Sequence, residues 1–204
     1  MKKSIKIPFL IMAFLAVSIN SYSQVEIKEY QGERLSPFDR SYDNSIKGPQ
    51  KVDINKYRLI VNGKIQKASL FTYAQVLALP SATRAITLNC IEGWSEHLLF
   101  MGVRIEDIVK STIIDKDVQT VIFYAIDGYS SSLSYEYVIE NDILLAYEIN
   151  GKKLDEKRGF PFQVVAESKF GYKWVKWVTR IEFSDKPYEG YWEQRGYDNE
   201  ATIN

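Results

Sequence analysis

Cysteine and histidine, two residue types that often serve as metal ligands and in catalysis, are almost missing from this chain. Its 204 residues contain one cysteine, Cys90, and one histidine, His97. A single cysteine cannot form an internal disulfide bond, and one cysteine with one histidine offers too few of the usual ligands to favour a zinc site. No Ser-His-Asp arrangement can be built around His97, for which a structural role is the better interpretation. Phosphate-loop and dinucleotide fingerprints do not occur either.

The chain also has no excess of charge of either sign. Lysine plus arginine and aspartate plus glutamate both number 26, and the formal net charge is zero. A chain without a positive field is poorly suited to bind nucleic acid or an anionic membrane surface. We therefore expect neither kind of partner.

A long apolar run occurs only near the N-terminus. Basic residues precede the run from Ile7 to Ile19, and Ser21-Tyr22-Ser23 has the small-x-small pattern of a cleavage site. This predicts a signal peptide over residues 1–23 and an exported, periplasmic chain that begins at Gln24. Since no later run is long enough to span a bilayer, we expect no transmembrane segment in the mature chain.

The remaining residues predict one domain preceded by an arm. Their number suffices for one well-buried core but not for two. Residues 24–52 are polar and interrupted by glycine and proline, which predicts an extended arm lying on the domain. Residues 53–204 form the domain, in which apolar runs predict buried strands over Thr120 to Ala125 and Leu144 to Ile149.

Three short signals predict turns and a helix start. Asn62-Gly63 and Asn150-Gly151 each have the composition of a tight hairpin turn. Thr72 is placed to cap a short helix that ends at Pro80.

The only cysteine follows an apolar, β-branched run. Ala85 to Leu88 predicts a buried strand that leads into Cys90, and Gly93 lets the backbone turn tightly just beyond it. A thiol at the end of a strand suits a nucleophile or a soft metal ligand. A lone cysteine is more often a small buried hydrophobic side chain, however, and the stretch taken alone favours that interpretation.

A second stretch with chemical content, Lys169 to Lys176, sets three lysines around Gly171. Glycine lets a ligand approach the backbone, and N–H groups beside ammonium groups suit a phosphate. Taken alone, the stretch is better interpreted as a surface strand with alternating lysines. The hydroxyl-rich segment Asp127 to Ser132 predicts a turn whose side chains suit either a ligand or their own backbone.

Five motifs follow one another along the chain: Cys90-Ile-Glu-Gly-Trp-Ser, Asp127-Gly-Tyr-Ser-Ser-Ser-Leu, Leu145-Ala-Tyr-Glu-Ile-Asn-Gly, Lys169-Phe-Gly-Tyr-Lys-Trp-Val-Lys and Gly190-Tyr-Trp-Glu. In this order they resemble the sulfite oxidase family of molybdopterin-binding oxidoreductases, over nearly all of the chain from Ser45 onward. The resemblance implies an α+β fold, a single domain of mixed sheets with short helices, and a molybdenum-molybdopterin cofactor.

The resemblance also implies roles for particular residues. Molybdenum in this family is held by the pterin dithiolene and one protein thiolate, so Cys90, the only residue in the chain that can supply a thiolate, is the implied metal ligand and catalytic residue. The implied cofactor-binding residues are those of the second stretch together with one tyrosine: Lys169, Gly171, Lys173, Trp174, Val175, Lys176 and Tyr129.

One branch of the family fits the sequence better. Sulfite oxidases carry arginines close after the ligand cysteine to hold an oxyanion, whereas Ile91 to Phe100 contains none. The pattern from Cys90 resembles instead the periplasmic methionine sulfoxide reductase catalytic subunit. That branch implies oxygen-atom transfer on a small substrate, by sulfoxide reduction, with electrons from a membrane haem partner. It carries an arginine where Gln163 stands and an asparagine near Arg158.

The sequence leaves two hypotheses open. In the first, the chain is an exported molybdenum oxidoreductase, which Cys90 and the lysine stretch favour. In the second, it is a non-catalytic binding module that keeps the fold and binds a pterin, an anion or a protein partner. Lys2-Lys3 stands where a signal for export of a folded, cofactor-loaded protein would carry two arginines, which favours the second.

Overall fold

The computed structural model describes residues 25–40 and 42–203, so the predicted signal peptide lies outside the described residues. Two five-stranded sheets make up most of the structure. The first contains β5 (Ser81–Asn89), β6 (Ser95–Arg104), β9 (Leu144–Ile149), β10 (Lys152–Lys153) and β11 (Gln163–Val165). The second contains β3 (Leu59–Gly63), β4 (Ser69–Phe71), β7 (Thr120–Ala125), β8 (Ser130–Ser134) and β12 (Val178–Ser184).

The remaining elements are short. A small hairpin of β1 (Glu29–Tyr30) and β2 (Glu33–Arg34) precedes both sheets. The helices are α1 (Tyr73–Leu77), α2 (Ile105–Val109) and α3 (Tyr135–Glu140), and 3₁₀ turns cover Gly171–Lys173 and Glu193–Arg195. In the part of the chain that the structure describes, no helix has the length and apolar character needed to cross a membrane.

The second sheet mixes parallel and antiparallel pairing. β12 pairs in parallel with β3 and antiparallel with β7, and the strand order is β4-β3-β12-β7-β8. The first sheet is antiparallel, in the order β10-β9-β6-β5 with β11 on β9. Both sheets contribute to one buried cluster, which includes Phe100 and Leu145 from the first and Phe123 and Phe183 from the second. The predicted α+β fold of mixed sheets with short helices is confirmed.

Several local predictions agree with the structure. β7 and β9 have the predicted bounds and are buried on both faces. Thr72 caps α1 through a capping box with Gln75. Asn150 and Gly151 connect β9 to β10 with φ angles of +52° and +72°, which suit a tight hairpin turn.

Two local predictions are wrong. Asn62-Gly63 is not a turn but the end of β3, where Gly63 pairs with Phe183 of β12. A Cβ atom on Gly63 would lie 2.1 Å from the carbonyl oxygen of Phe183, so the glycine serves a close approach between strands. The serines of the segment Asp127 to Ser132 are not in a turn either, because they begin β8.

The N-terminal arm lies against the first sheet. The N–H of Ile27 donates to the Asn150 carbonyl at 2.9 Å, and the Asn150 amide donates to the Ser36 carbonyl at 2.8 Å. Leu35 and Phe38 are buried. These contacts hold the arm beside the end of β5, where the cysteine lies.

Candidate active site

Cys90 lies at the tip of the hairpin formed by β5 and β6. Its N–H donates to the Trp94 carbonyl at 2.9 Å, and its carbonyl accepts from the N–H of Gly93 at 3.0 Å. Gly93 has a φ of +89°, a conformation that favours glycine. The sequence of this connection therefore fixes the half-buried thiol at the end of the strand.

A cleft opens beside Cys90, between the end of the first sheet and four other segments. These segments are part of the N-terminal arm, the turn before β8, the second stretch with its preceding loop, and the C-terminal tail with Trp192 and Tyr197. The residues that line the cleft include Asn44, Cys90, Glu92, Asp127, Tyr129, Gln163, Gly171, Trp174 and Lys176. Cys90 and four of the residues implied as cofactor ligands therefore meet at one cleft.

The second stretch reaches the cleft as a loop with a 3₁₀ turn, not as a surface strand. A Cβ atom on Gly171 would lie 3.4 Å from Leu88 Cδ1 and 3.5 Å from the Asn89 carbonyl oxygen, so the loop backbone packs against the end of β5. The indole N–H of Trp174 donates to the Lys169 carbonyl at 2.9 Å and closes the loop. The two stretches selected from the sequence thus lie side by side.

Lys173 does not reach the cleft. Its side chain is fully buried, and its ammonium donates to Glu193 Oε1 at 2.6 Å, to the Ser132 carbonyl at 3.1 Å and to Asn199 Oδ1 at 3.0 Å. Burial lowers the pKa of Lys173, and Glu193 opposes this shift. The Ser131 hydroxyl also donates to Glu193 Oε1. We call Ser131, Lys173, Glu193 and Asn199 the tail cluster, since it holds the C-terminal residues against β8. Because these protein oxygens occupy its ammonium group, Lys173 is not available to bind a phosphate.

Two other implied cofactor ligands are also outside the cleft lining. The ammonium of Lys169 donates to Thr202 Oγ1 at 3.0 Å and lies 3.5 Å from the Glu200 carboxylate. Val175 is fully buried, and its N–H donates to the Lys173 carbonyl. The structure therefore separates these residues from Cys90.

Lys176 is the lysine of the second stretch that lines the cleft. Its ammonium donates to the Lys157 carbonyl at 3.0 Å, and burial lowers its pKa. A Cβ atom on Gly159 would lie 2.8 Å from Lys176 Cβ, so a larger residue at position 159 would clash with the Lys176 side chain. Lys176 is therefore a cation at the cleft whose ammonium has one hydrogen-bond acceptor among the described residues.

Two polar residues near the thiol, Asn44 and Glu92, were not singled out as site residues from the sequence. Asn44 Nδ2 lies 3.7 Å from Cys90 Sγ and donates to Glu92 Oε2 at 3.0 Å. The indole N–H of Trp94 donates to the same oxygen at 3.2 Å. Burial raises the pKa of the Cys90 thiol, the backbone N–H of Glu92 opposes the shift, and the Glu92 charge adds to it. Asn44 comes from a polar arm far from Cys90 in sequence, so no short-range pattern could reveal the pair.

Asp127 offers an unsatisfied acceptor at the cleft. The residue is 3% exposed, and its Oδ1 accepts from the N–H of Tyr129 at 2.9 Å. Its Oδ2 has no hydrogen-bond partner among the described residues. The hydroxyl of Tyr129 donates to the Tyr172 carbonyl at 2.5 Å, and burial raises its pKa. Since buried polar atoms are normally paired, Asp127 Oδ2 is an acceptor suited to a ligand donor.

His97 is turned away from this site. Its Nδ1 lies 3.0 Å from Thr87 Oγ1 and its Nε2 lies 3.0 Å from the Glu33 carboxylate. In the described parts of the chain, no group of three or more histidine, cysteine, aspartate or glutamate residues could hold a metal ion. A metal at Cys90 would therefore need most of its ligands from a cofactor.

Comparison with known proteins agrees with this geometry. The model of the oxidoreductase molybdopterin binding domain matches residues 46–192. The chain is 30% identical over 150 residues to the uncharacterized oxidoreductase YuiH of Bacillus subtilis, covering 73% of this chain and 76% of YuiH. It is 28% identical over 166 residues to the putative protein-methionine-sulfoxide reductase subunit YedZ1 of Azospira oryzae, covering 81% of this chain and 62% of that relative.

A solved structure has the same fold. The sulfane dehydrogenase SoxCD of Paracoccus pantotrophus superimposes with a TM-score of 0.71 at 22% identity, over 74% of this chain and 44% of that chain. The match to the domain model spans most of the chain and contains Cys90, Asp127 and the second stretch. The chain therefore belongs to the oxidoreductase molybdopterin binding domain family and is an oxidoreductase of that family.

Proposed function

We propose that this protein is an exported molybdenum-molybdopterin oxidoreductase that catalyses oxygen-atom transfer on a small substrate, in the direction of sulfoxide reduction. Cys90 is the proposed metal ligand. The observation that carries the proposal is the position of Cys90, the only thiol in the chain, on the wall of a cleft next to the loop of the second stretch.

The residues of the cleft fit the proposed cofactor. A thiolate is a ligand suited to a thiophilic metal, and the dithiolene would supply the further sulfur ligands that the protein lacks. The ammonium of Lys176 suits the phosphate. The free oxygen of Asp127 suits the N–H groups of a pterin ring, and Trp174 gives the cleft an aromatic wall. Lys176, Gly171, Trp174, Asp127 and Tyr129 are therefore the proposed cofactor-binding residues.

The chain's own residues would position the substrate. When bound, the cofactor supplies the two-electron chemistry by which a sulfoxide, two electrons and two protons become a sulfide and water. The Asn44 amide is placed to donate a hydrogen bond next to the thiol. The Glu92 carboxylate, whose Oε2 accepts from Asn44 and Trp94, holds that amide in place beside the thiol. Tyr42 stacks on Trp94 at 4.2 Å beside this carboxylate.

The charges of the cleft favour an uncharged sulfoxide over an inorganic oxyanion. Arg158 lines the cleft, but its guanidinium is bound to the Glu96 carboxylate. Near the thiol, Glu92 adds a negative charge that would repel sulfite. A sulfoxide needs a hydrogen-bond donor for its oxygen, which Asn44 provides.

Export and the electron source belong to the same proposal. Residues 1–23 would direct export and be removed, residues 24–52 would form the arm, and residues 53–204 the cofactor-binding domain. The protein would work in the periplasm. Electrons would come from a membrane haem protein, a partner of the kind that the resemblance to the methionine sulfoxide reductase branch implies.

The test is an assay of cofactor-loaded protein, with a reduced viologen dye as electron donor and methionine sulfoxide as substrate. We expect dye oxidation that depends on the sulfoxide, and its loss in Cys90→Ser. His97→Gln is the matched control, since it changes a potential ligand outside the cleft and leaves turnover intact.

Two results would reject the proposal. Cofactor-loaded protein that oxidises sulfite but does not reduce sulfoxides would reverse the direction of oxygen transfer and reject the assigned substrate. Protein from its own cell envelope that is folded, abundant and free of molybdenum would point instead to the non-catalytic binding module.

A further inference from the structure

A buried ion pair, Arg158 with Glu96, forms part of the cleft lining. The side chains of Arg158 and Glu96 are 6% and 1% exposed, respectively. Arg158 Nη1 donates to Glu96 Oε2 at 2.7 Å, and Nη2 donates to Oε1 at 3.1 Å. This two-pronged contact fixes the plane of the guanidinium group and neutralises its charge.

The same guanidinium holds the N-terminal arm. Nε and Nη2 both donate to the Phe38 carbonyl, at 3.1 and 2.9 Å, and Nη2 also donates to the Arg40 carbonyl at 2.6 Å. We call residues 37–40 and 42–46 the strap. Arg158 thus joins the strap to Glu96 of β6, and a lysine could not make these contacts because it lacks the planar fork.

The strap covers the thiol just beyond this attachment. Asn44 lies 3.7 Å from Cys90 Sγ, and Tyr42 stacks on Trp94 of the same hairpin. Ser45 and Ile46 line the cleft. Residues 42–46 are mostly exposed, so few contacts of their own fix them. Their distance from Cys90 therefore depends on where the strap is attached.

We propose that Arg158, fixed by Glu96, is a positioning residue that acts through the strap: it holds Asn44 and Tyr42 over Cys90 and so controls access to the thiol. Although Arg158 borders the cleft, its guanidinium N–H groups donate to protein oxygens, so its role is not to bind a ligand anion. This goes beyond the proposed function, because it concerns access to Cys90 whether or not a metal binds there.

The experiment measures the rate at which N-ethylmaleimide alkylates Cys90 in metal-free, full mature chain. Since the chain has one cysteine, every adduct reports on this site. We expect the rate to rise at least about tenfold when the strap is released, because local opening then no longer limits access. The variants are Arg158→Lys and the double variant Arg158→Met with Glu96→Leu, which leaves no unpaired buried charge.

Two controls separate positioning from general loss of stability. Arg84→Gln breaks another ion pair, to Glu167, whose residues do not line the cleft, and its alkylation rate stays at the wild-type value. Asn44→Ala removes the strap side chain nearest to Cys90 and leaves the Arg158–Glu96 ion pair intact, and the alkylation rate of this variant rises. Rates are measured far below the melting temperature and at two low urea concentrations, where a local opening gives a rate independent of urea.

The proposal is overturned if the double variant is folded and is alkylated at the wild-type rate, because the strap would then be held without Arg158. It is also overturned if Arg84→Gln accelerates alkylation as much as the double variant, since the pair would then act only through overall stability. Should Arg158→Lys fail to fold, the double variant alone decides.

Discussion

The tail cluster and the cleft share the stretch from Lys169 to Lys176, yet their polar groups differ in how many protein hydrogen-bond partners they have. In the tail cluster the Lys173 ammonium has three protein acceptors, and Glu193 is closed in by backbone. In the cleft the Lys176 ammonium has one carbonyl partner, and Asp127 Oδ2 has none among the described residues. Glu193 Oε2 is also unpaired, but a Cβ atom on Gly190 would lie only 2.8 Å from it, so it has no room for a ligand.

This difference shows how residues of one motif divide into two roles. A buried charge with its partner and tight packing contributes to the folded state, and removing one partner is costly. A buried polar atom that faces open space lacks such a protein partner and is suited to a ligand or to water. Three pairs of substitutions test whether the two regions differ in this way.

The largest expected difference is between the two lysines. Lys173→Met leaves Glu193 buried and uncompensated, so we expect a loss of about 3–5 kcal/mol in the free energy of unfolding. Lys176→Met removes one hydrogen bond to a carbonyl and should cost less than about 1 kcal/mol. Urea denaturation of metal-free protein measures both. Equal losses would mean that the tail cluster and the cleft contribute alike to stability.

The second difference is between two glycines. A Cβ atom on Gly190 would lie 2.2 Å from the Ser130 carbonyl oxygen and 2.6 Å from Ser131 Cα, so we expect Gly190→Ala to cost about 1–3 kcal/mol of unfolding free energy. At Gly171 the nearest atoms would be at van der Waals distance, so Gly171→Ala should change it by less than about 0.5 kcal/mol. Thermal melting of the two variants compares them directly. A well-tolerated alanine at Gly190 would contradict the tight packing of the tail.

The smallest expected effect on stability is at Asp127. Asp127→Asn keeps the acceptor for the N–H of Tyr129 and removes a charge whose second oxygen is unpaired, so the free energy of unfolding should stay within about 0.5 kcal/mol of wild type. The bound pterin, measured by fluorescence after oxidation, should nevertheless decrease. Glu193→Gln is the matched control in the tail cluster and should lower stability instead. A stable Asp127→Asn protein with full pterin content would remove Asp127 from the site.

Local signals predicted much of the fold. β7 and β9 were recognisable because strands buried on both faces read as continuous apolar runs. The turn at Asn150-Gly151 follows from the positive φ angles that these residues accept. Asn62-Gly63 has the same composition, but its glycine is needed for the approach of Phe183, a contact with a strand distant in sequence. Turn composition cannot reveal such a contact.

The site was predictable only in part, for the same reason. Cys90 and Lys176 stand in motifs and line the cleft. Lys173 stands in the same motif but meets Glu193 from the C-terminal tail, and Asn44 reaches the thiol from the arm. Both pairings depend on the tertiary fold, which sets which lysine is buried and which polar residue faces the cysteine.

The most direct test of the central claim, that Cys90 holds the metal, is the molybdenum content of protein isolated from its own cell envelope, measured by elemental analysis for wild type and Cys90→Ser. The account predicts close to one molybdenum per chain in wild type and its loss in Cys90→Ser, with His97→Gln retaining the metal. Full molybdenum content in a folded Cys90→Ser protein would contradict it.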